Sequence, residues 1–330
     1  MDYHNPQPDT MSPTLGLAAL ALCLAASPVF AQAPATTAAT TAPARQLSGF
    51  TTSDGVALAY TQSGQGIPCL FVHGGPGSGS EVVETLAGEM LGKHLRMIWL
   101  DQRGSGRSAA HPKKNYALDR VVQDMEELRS NLKIDKWVLM PHSFGGIIAT
   151  AYARKYPDRV AGMVLMNSIL SLPASMESTA SHGYTLLPAN ARPPLDPAAP
   201  LPQRFGMVMA LLGQTRQTGR LMYGDPATEA RVGAAMKGLA ANRDFAATLF
   251  ASGVIAHYLE DMAPATADLG MPVLIVAGRE DHVVGVEHYK SFRFPRQQVV
   301  LVPGRHFSML EHPQEVDRAL AGFVPALAKQ

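Results

Sequence analysis

From about Gly49 the chain alternates short unbroken apolar runs with longer stretches in which apolar positions recur every three or four residues. The runs 56–61, 68–72, 96–100, 137–140, 162–166, 272–277 and 298–302 read as strands. Strands that are apolar throughout, rather than alternating, are buried on both faces. Leu118, Val121, Val122, Met125, Leu128 and Leu132 share one face of a helix over 118–132, and 144–156 and 314–328 also read as helices. Strand and helix in alternation predict an α/β domain, a mostly parallel sheet covered by helices on both faces. Between residues 169 and 269 the rhythm stops: a Pro-rich stretch, 188–202, is followed by helical runs around 205–212, 227–239 and 245–259. This segment reads as a helical cap inserted between two core portions, 49–168 and 270–330.

The amino terminus breaks the pattern differently. Residues 15–26 are apolar, yet too few to cross a bilayer, which needs about 20. Val29 and Ala31 then fit a small-residue cleavage site, although no Lys or Arg precedes the run from either Met1 or Met11. We expect a signal peptide over 1–31 and a disordered Ala/Thr/Pro linker over 32–48. That places the processed chain in the periplasm or outside the cell, with no stable membrane insertion. Of the 2 cysteines only Cys69 then remains, in a predicted buried strand, so no internal disulfide can form.

Length and composition narrow the function classes. A chain of 330 residues, 46% hydrophobic and 17% charged, suits one globular domain with an insertion. A formal net charge of +1 offers no electrostatic case for nucleic acid or a membrane surface. The histidines form no metal-ligand spacing, so neither a metal nor a cofactor is expected.

The candidate chemistry sits just past the predicted strands. Pro141-His142-Ser143-Phe144-Gly145-Gly146 reads as strand, sharp turn, helix, with a serine at the tip. Alone, serine between small residues also fits an ordinary turn, and Pro141 has no N–H to give a central strand. His73-Gly74-Gly75-Pro76-Gly77 follows the strand 68–72, Asp281 follows 272–277, and His306 follows 298–302. Ser, then Asp, then His, each after a strand, is the chain order of an α/β-hydrolase triad. Ser143 would attack a carbonyl carbon, His306 would take its proton, and Asp281 would hold the imidazole tautomer. The backbone N–H groups of Gly75 and Phe144 would hold the oxyanion, one such donor being worth about 3–4 kcal/mol. Glu280 is the rival acid, and Asn167, at the end of a preceding strand, cannot serve as one. His73 and His142 flank the site without the base's place in chain order. Asp101, Arg103 and Arg107 read as braces for the 73–77 loop.

His73 to Gly77, followed by Asp101-Gln102-Arg103-Gly104-Ser105-Gly106-Arg107-Ser108, resembles the proline iminopeptidase branch of the α/β-hydrolases. His306 to Pro313 resembles hydrolases of the same superfamily, and the likeness covers about 50–168 and 270–328. It implies the α/β-hydrolase fold and an aminopeptidase-like activity. Two departures stand out. The family elbow commonly reads Gly-Gly-Ser-Trp-Gly, against Pro141 to Gly145 here. The family also carries a cap glutamate, two residues before a His-Tyr pair, that binds the substrate amine. Here the pair is His257-Tyr258 and the matching position is Ile255.

The reading is therefore a Ser-His-Asp hydrolase working through an acyl-enzyme on a small molecule or short peptide. An aminopeptidase-like amidase leads. A carboxylesterase or lactonase is the alternative that Ile255 favours, and a non-catalytic binding protein on the same scaffold is the third. Glu229 and Glu260 are the cap acids named for substrate binding. Glu177, Asp244 and Asp261 are further cap acids, and Met207, Met209, Met222, Met236 and Met262 either line a pocket or pack the cap's own core.

Overall fold

The computed structural model describes residues 46–239, 242–251 and 253–327. The expected signal peptide, 1–31, and residues 32–45 of the linker lie outside the described residues. The strands are β1 (Ser48–Thr51), β2 (Ala57–Ser63), β3 (Pro68–Val72), β4 (Arg96–Leu100), β5 (Trp137–Ser143), β6 (Val160–Ser168), β7 (Val273–Gly278) and β8 (Gln297–Val302). They form an 8-stranded sheet in the order β1-β2-β4-β3-β5-β6-β7-β8. The β1–β2 and β2–β4 pairings are antiparallel and all the others are parallel.

Every central strand divides its side chains between two cores, as the two-residue period of a strand requires. Leu70, Val72, Ile98, Leu139, Leu165 and Ile275 face one core; Phe71, Trp99, Val138, Met140, Val164 and Val276 face the other. Helices α2 (Leu118–Asn131) and α3 (Gly145–Lys155) close the first face with Val122, Met125, Leu128, Ile148 and Tyr152. On the second face α1 (Glu81–Gly92) contributes Val83, Ala87 and Leu91. Because both faces are covered, the central strands are apolar along most of their length, with polar residues confined to strand ends such as Arg96, His142, Ser143, Asn167 and Ser168.

Between β6 and β7 lie α4 (Leu172–Leu186), α5 (Leu201–Gln214), α6 (Thr218–Met222), α7 (Pro226–Met236) and α8 (Asp244–Ala251). The helical run read over 245–259 ends at Ala251, and a separate 3₁₀ turn spans Val254–Tyr258. After β8 come the short α9 (Ser308–Glu311) and α10 (Pro313–Leu327), whose Val316, Leu320 and Phe323 pack on the second face. Pro141 does not end its strand. The β3–β5 ladder runs on to Val72 opposite Pro141, and the Ser168 hydroxyl donates to the Pro141 carbonyl at 3.0 Å. The parallel strands β3, β5, β7 and β8 all point their carboxyl ends at one edge, where ligands collect in sheets of this kind.

Candidate active site

β5 delivers Ser143 in a strained turn. Its φ is 55°, in the left-handed region that costs a non-glycine residue about 1–3 kcal/mol. Phe144 returns to the helical region and α3 starts at Gly145, so the hydroxyl is lifted off the sheet edge. The Ile169 N–H holds the turn by donating to the Ser143 carbonyl at 2.9 Å.

The loops after β7 and β8 bring in the other two side chains. The Ser143 hydroxyl lies 2.8 Å from His306 Nε2, and His306 Nδ1 lies 3.0 Å from Asp281 Oδ2. A carboxylate can only accept, so Nδ1 carries the proton and Nε2 accepts from the serine. Asp281 is fully buried. Its Oδ1 accepts from the N–H groups of Val283 at 3.0 Å and Val284 at 3.3 Å. Burial pushes the Asp281 carboxyl up, but the His306 imidazole and the Asn167 amide outweigh it and hold it below the ordinary carboxylate range. Glu280, the rival acid, faces away: its exposed side chain lies 3.8 Å from Arg305.

His142 Nε2–H donates to the His306 carbonyl at 2.9 Å, fixing the segment that carries the imidazole. Burial, followed by the neighbouring His306, pushes the His142 imidazole down to about 3. His73 opens the 73–77 loop. The Gln102 N–H donates to His73 Nε2 at 3.0 Å and the Gln102 side chain donates to the His73 carbonyl at 2.8 Å. His73 Nδ1–H then donates to the Gly74 carbonyl at 2.9 Å, so the imidazole is neutral, as its burial also favours. Asp101 holds the far end of this connection by accepting from the Ser80 N–H and hydroxyl, both at 2.7 Å, while Arg107 Nε donates to it at 2.7 Å. Arg103 does not join this brace; it pairs with Asp54 and Asp124. Gly75 and Phe144 line the same cavity as Ser143. Among the described residues neither of their N–H groups donates to a protein acceptor.

That cavity, of about 180 Å³, opens over Ser143 and His306 beneath the inserted helices. Its walls include Leu172, Met176, Met209, Met236, Phe250 and Phe307, with Ser78, Ser175 and Thr179 as polar points. Among the described lining residues none is Asp, Glu, Lys or Arg. Met209, Met222 and Met236 line it, whereas Met207 and Met262 pack into the core. The two cap acids named from the sequence do not reach it. Glu260 pairs with Arg154 at 2.7 Å on the surface, and Glu229 is exposed on α7 beside Gly219. Glu177 pairs with Arg204 at 2.7 Å, Asp244 binds Lys114 and Tyr116, and Asp261 accepts from the Ala263 N–H at 3.0 Å. Ile255 packs against the core and is not part of the cavity wall. Sequence reasoning misses the roles of Asn167 and Gln102. Both are amides whose positions can be read but whose hydrogen-bond directions cannot.

An eight-stranded, mostly parallel sheet with Ser, Asp and His gathered at its carboxyl edge defines an α/β-hydrolase architecture. Residues 67–313 match the family described as alpha/beta hydrolase fold, and the chain belongs to that family. A probable proline iminopeptidase of Leptolyngbya boryana is 39% identical over 117 residues, 34% of this chain and 36% of that protein. The chain spans about a third of the length of the curated relatives it matches. A proline iminopeptidase-related protein from Thermus thermophilus superposes with a TM-score of 0.68 at 20% identity, covering 86% of this chain and 99% of that one. An esterase from Thermogutta terrifontis gives 0.63 at 22% identity, again over 86% of this chain and 99% of the other. These two likenesses establish the fold alone.

Proposed function

We propose that the chain is a serine hydrolase that cleaves uncharged carboxylic esters through an acyl-enzyme. The observation that carries this is the Ser143 hydroxyl 2.8 Å from His306 Nε2, with His306 Nδ1 3.0 Å from the buried Asp281. In the first half-reaction the Ser143 proton passes to His306 Nε2 as Oγ attacks the carbonyl carbon. The oxyanion is held by the N–H groups of Gly75 and Phe144. The tetrahedral intermediate collapses, and His306 returns the proton to the departing alkoxide. Water then repeats the cycle on the acyl-serine, releasing the acid and restoring Ser143.

The apolar walls favour esters over N-terminal aminoacyl substrates. A protonated α-amine taken into a cavity without a carboxylate loses its hydration with no compensating partner. The described lining residues supply no acid. A second reading, an aminopeptidase-like amidase, is favoured by the 39% identity to a probable proline iminopeptidase. Comparing kcat/KM for p-nitrophenyl butyrate and proline p-nitroanilide, each divided by its own uncatalysed rate, separates the two. A higher ratio for the ester supports the first reading, and a higher ratio for the prolyl amide replaces it with the second. Turnover of neither, across acyl esters, lactones and aminoacyl amides, would leave a non-catalytic binding protein on this scaffold.

A further inference from the structure

Asn167, the residue before the last of β6, has a φ of 44° and is fully buried. Its side-chain nitrogen faces two groups that can only accept: Asp281 Oδ2 at 2.7 Å and the Arg305 carbonyl at 3.0 Å. The amide orientation is therefore determined, with NH₂ on that side. Its Oδ1 then accepts from the buried Ser308 hydroxyl at 2.6 Å. Gly278 leaves the room this requires. A Cβ there would fall 2.9 Å from Asn167 Nδ2 and 2.6 Å from the Arg305 carbonyl oxygen. One amide thus joins the end of β6, the acid after β7, and both ends of the segment 305–308 that carries His306.

We propose that Asn167 is a positioning residue for the hydrolytic reaction, orienting Asp281 and His306 together through a single amide. The inference rests on reading Ser143, His306 and Asp281 as the catalytic set. Asn167 donates to the same carboxylate oxygen that accepts from His306 Nδ1. A second donor on that oxygen makes it a weaker base. The proton therefore stays on Nδ1, and Nε2 remains the lone pair presented to Ser143. The bond to the Arg305 carbonyl fixes the backbone one residue before the imidazole. His142, His282 and His288 also face the Asp281–His306 pair, and burial favours the neutral form of each. Exposed Glu280 and the half-buried Arg305 lie on the loops that carry the pair.

The test compares Asn167→Asp, Asn167→Leu and Ser308→Ala in the full chain, using whichever ester or amide the wild type turns over fastest. Asn167→Asp puts a carboxylate where the donor was. The added negative charge favours the imidazolium, so the pH of half-maximal kcat/KM should rise by about one unit or more. Asn167→Leu removes the donor without adding charge and should lower kcat about 10- to 100-fold with KM within about twofold. Ser308→Ala releases the amide to rotate and should lower kcat about 3- to 10-fold. A merely structural asparagine would lower the melting temperature in all three and leave kcat of Asn167→Leu and Ser308→Ala within about twofold of wild type; that result overturns the proposal. If the Asn167 variants do not fold, Ser308→Ala decides, and a kcat within about twofold of wild type overturns it. Ser143→Ala separates the two levels. An inactive Ser143→Ala beside near-wild-type kcat in Asn167→Leu and Ser308→Ala sinks this inference alone, whereas an active Ser143→Ala sinks the catalytic set with it.

Discussion

Gly145 and Val72 touch backbone to backbone: a Cβ on Gly145 would stand 2.1 Å from the Val72 carbonyl oxygen. The first turn of α3 therefore passes directly over the end of β3, and Phe144 and the 73–77 loop come to line one cavity. Only glycine allows that approach. The clash is with backbone, which cannot rotate away, so overpacking here should cost about 1–3 kcal/mol or more.

Gly145→Ala should accordingly lower the melting temperature and reduce kcat/KM more than it raises KM, because it separates the Phe144 N–H from Gly75. Thermal unfolding and steady-state kinetics on the same preparation check this. An unchanged kcat with a lowered melting temperature would detach this contact from the reaction.

Acid should destabilise the fold well above the ordinary carboxylate range. Burial and the adjacent His306 push His142 from 6.5 down to about 3, and His73, His282 and His288 are pushed down by burial as well. Between those two values the unfolded chain binds a proton at His142 that the folded chain refuses, so stability is complete above the unfolded value and falls as pH drops below it. His142 contributes a slope of about 1.4 kcal/mol per pH unit in that window, and the other three histidines act in the same direction. Urea midpoints measured at pH 7.5, 6 and 5 should decline in that order. A flat series would show that these imidazoles are protonated in the folded chain.

Asp101 is a second place where charge supports the site at one remove. It accepts from Ser80 and is paired with Arg107 at 2.7 Å, entirely buried itself. Asp101→Asn leaves Glu84, at 3.4 Å, as the carboxylate partner of the Arg107 guanidinium, and breaking a buried pair on one side costs about 3–5 kcal/mol. Chemical denaturation should register a loss of that order, and turnover should fall as the connection from His73 to Ser80 loosens. A loss below about 1 kcal/mol would mean the pair is solvent-compensated.

The parts of the fold that can be read in the sequence are those whose signal is continuous. β3 and β7 are unbroken apolar runs, β4 is one after Arg96, and Ser143, Asp281 and His306 each lie just past such a run. β1 escapes the pattern because four residues at a sheet edge, SGFT, alternate in exposure and include a glycine, so neither period nor composition marks them. α4 escapes it because Ser, Thr and Gly dilute its apolar face. Pro141 looks incompatible with a central strand, yet the ladder continues on the β3 side and a hydroxyl serves its carbonyl. In the sequence Asn167 marks only a position where an acid is lacking. Its meaning depends on which way an amide points, and that is set by two segments distant in sequence, Asp281 and 305–308. Glu229 on α7 and Glu260 beyond the 3₁₀ turn stand out for charge alone, and charge does not say which side of an element meets the cavity.

The most direct measurement is covalent labelling of the full chain with a fluorophosphonate, read by intact mass and peptide mapping, beside the activity of Ser143→Ala. The expected result is one adduct, on Ser143, loss of activity in step with labelling, and a Ser143→Ala variant that folds, takes no label and turns over at least about 10⁴-fold more slowly. Label on another residue, or wild-type turnover in Ser143→Ala, would contradict it.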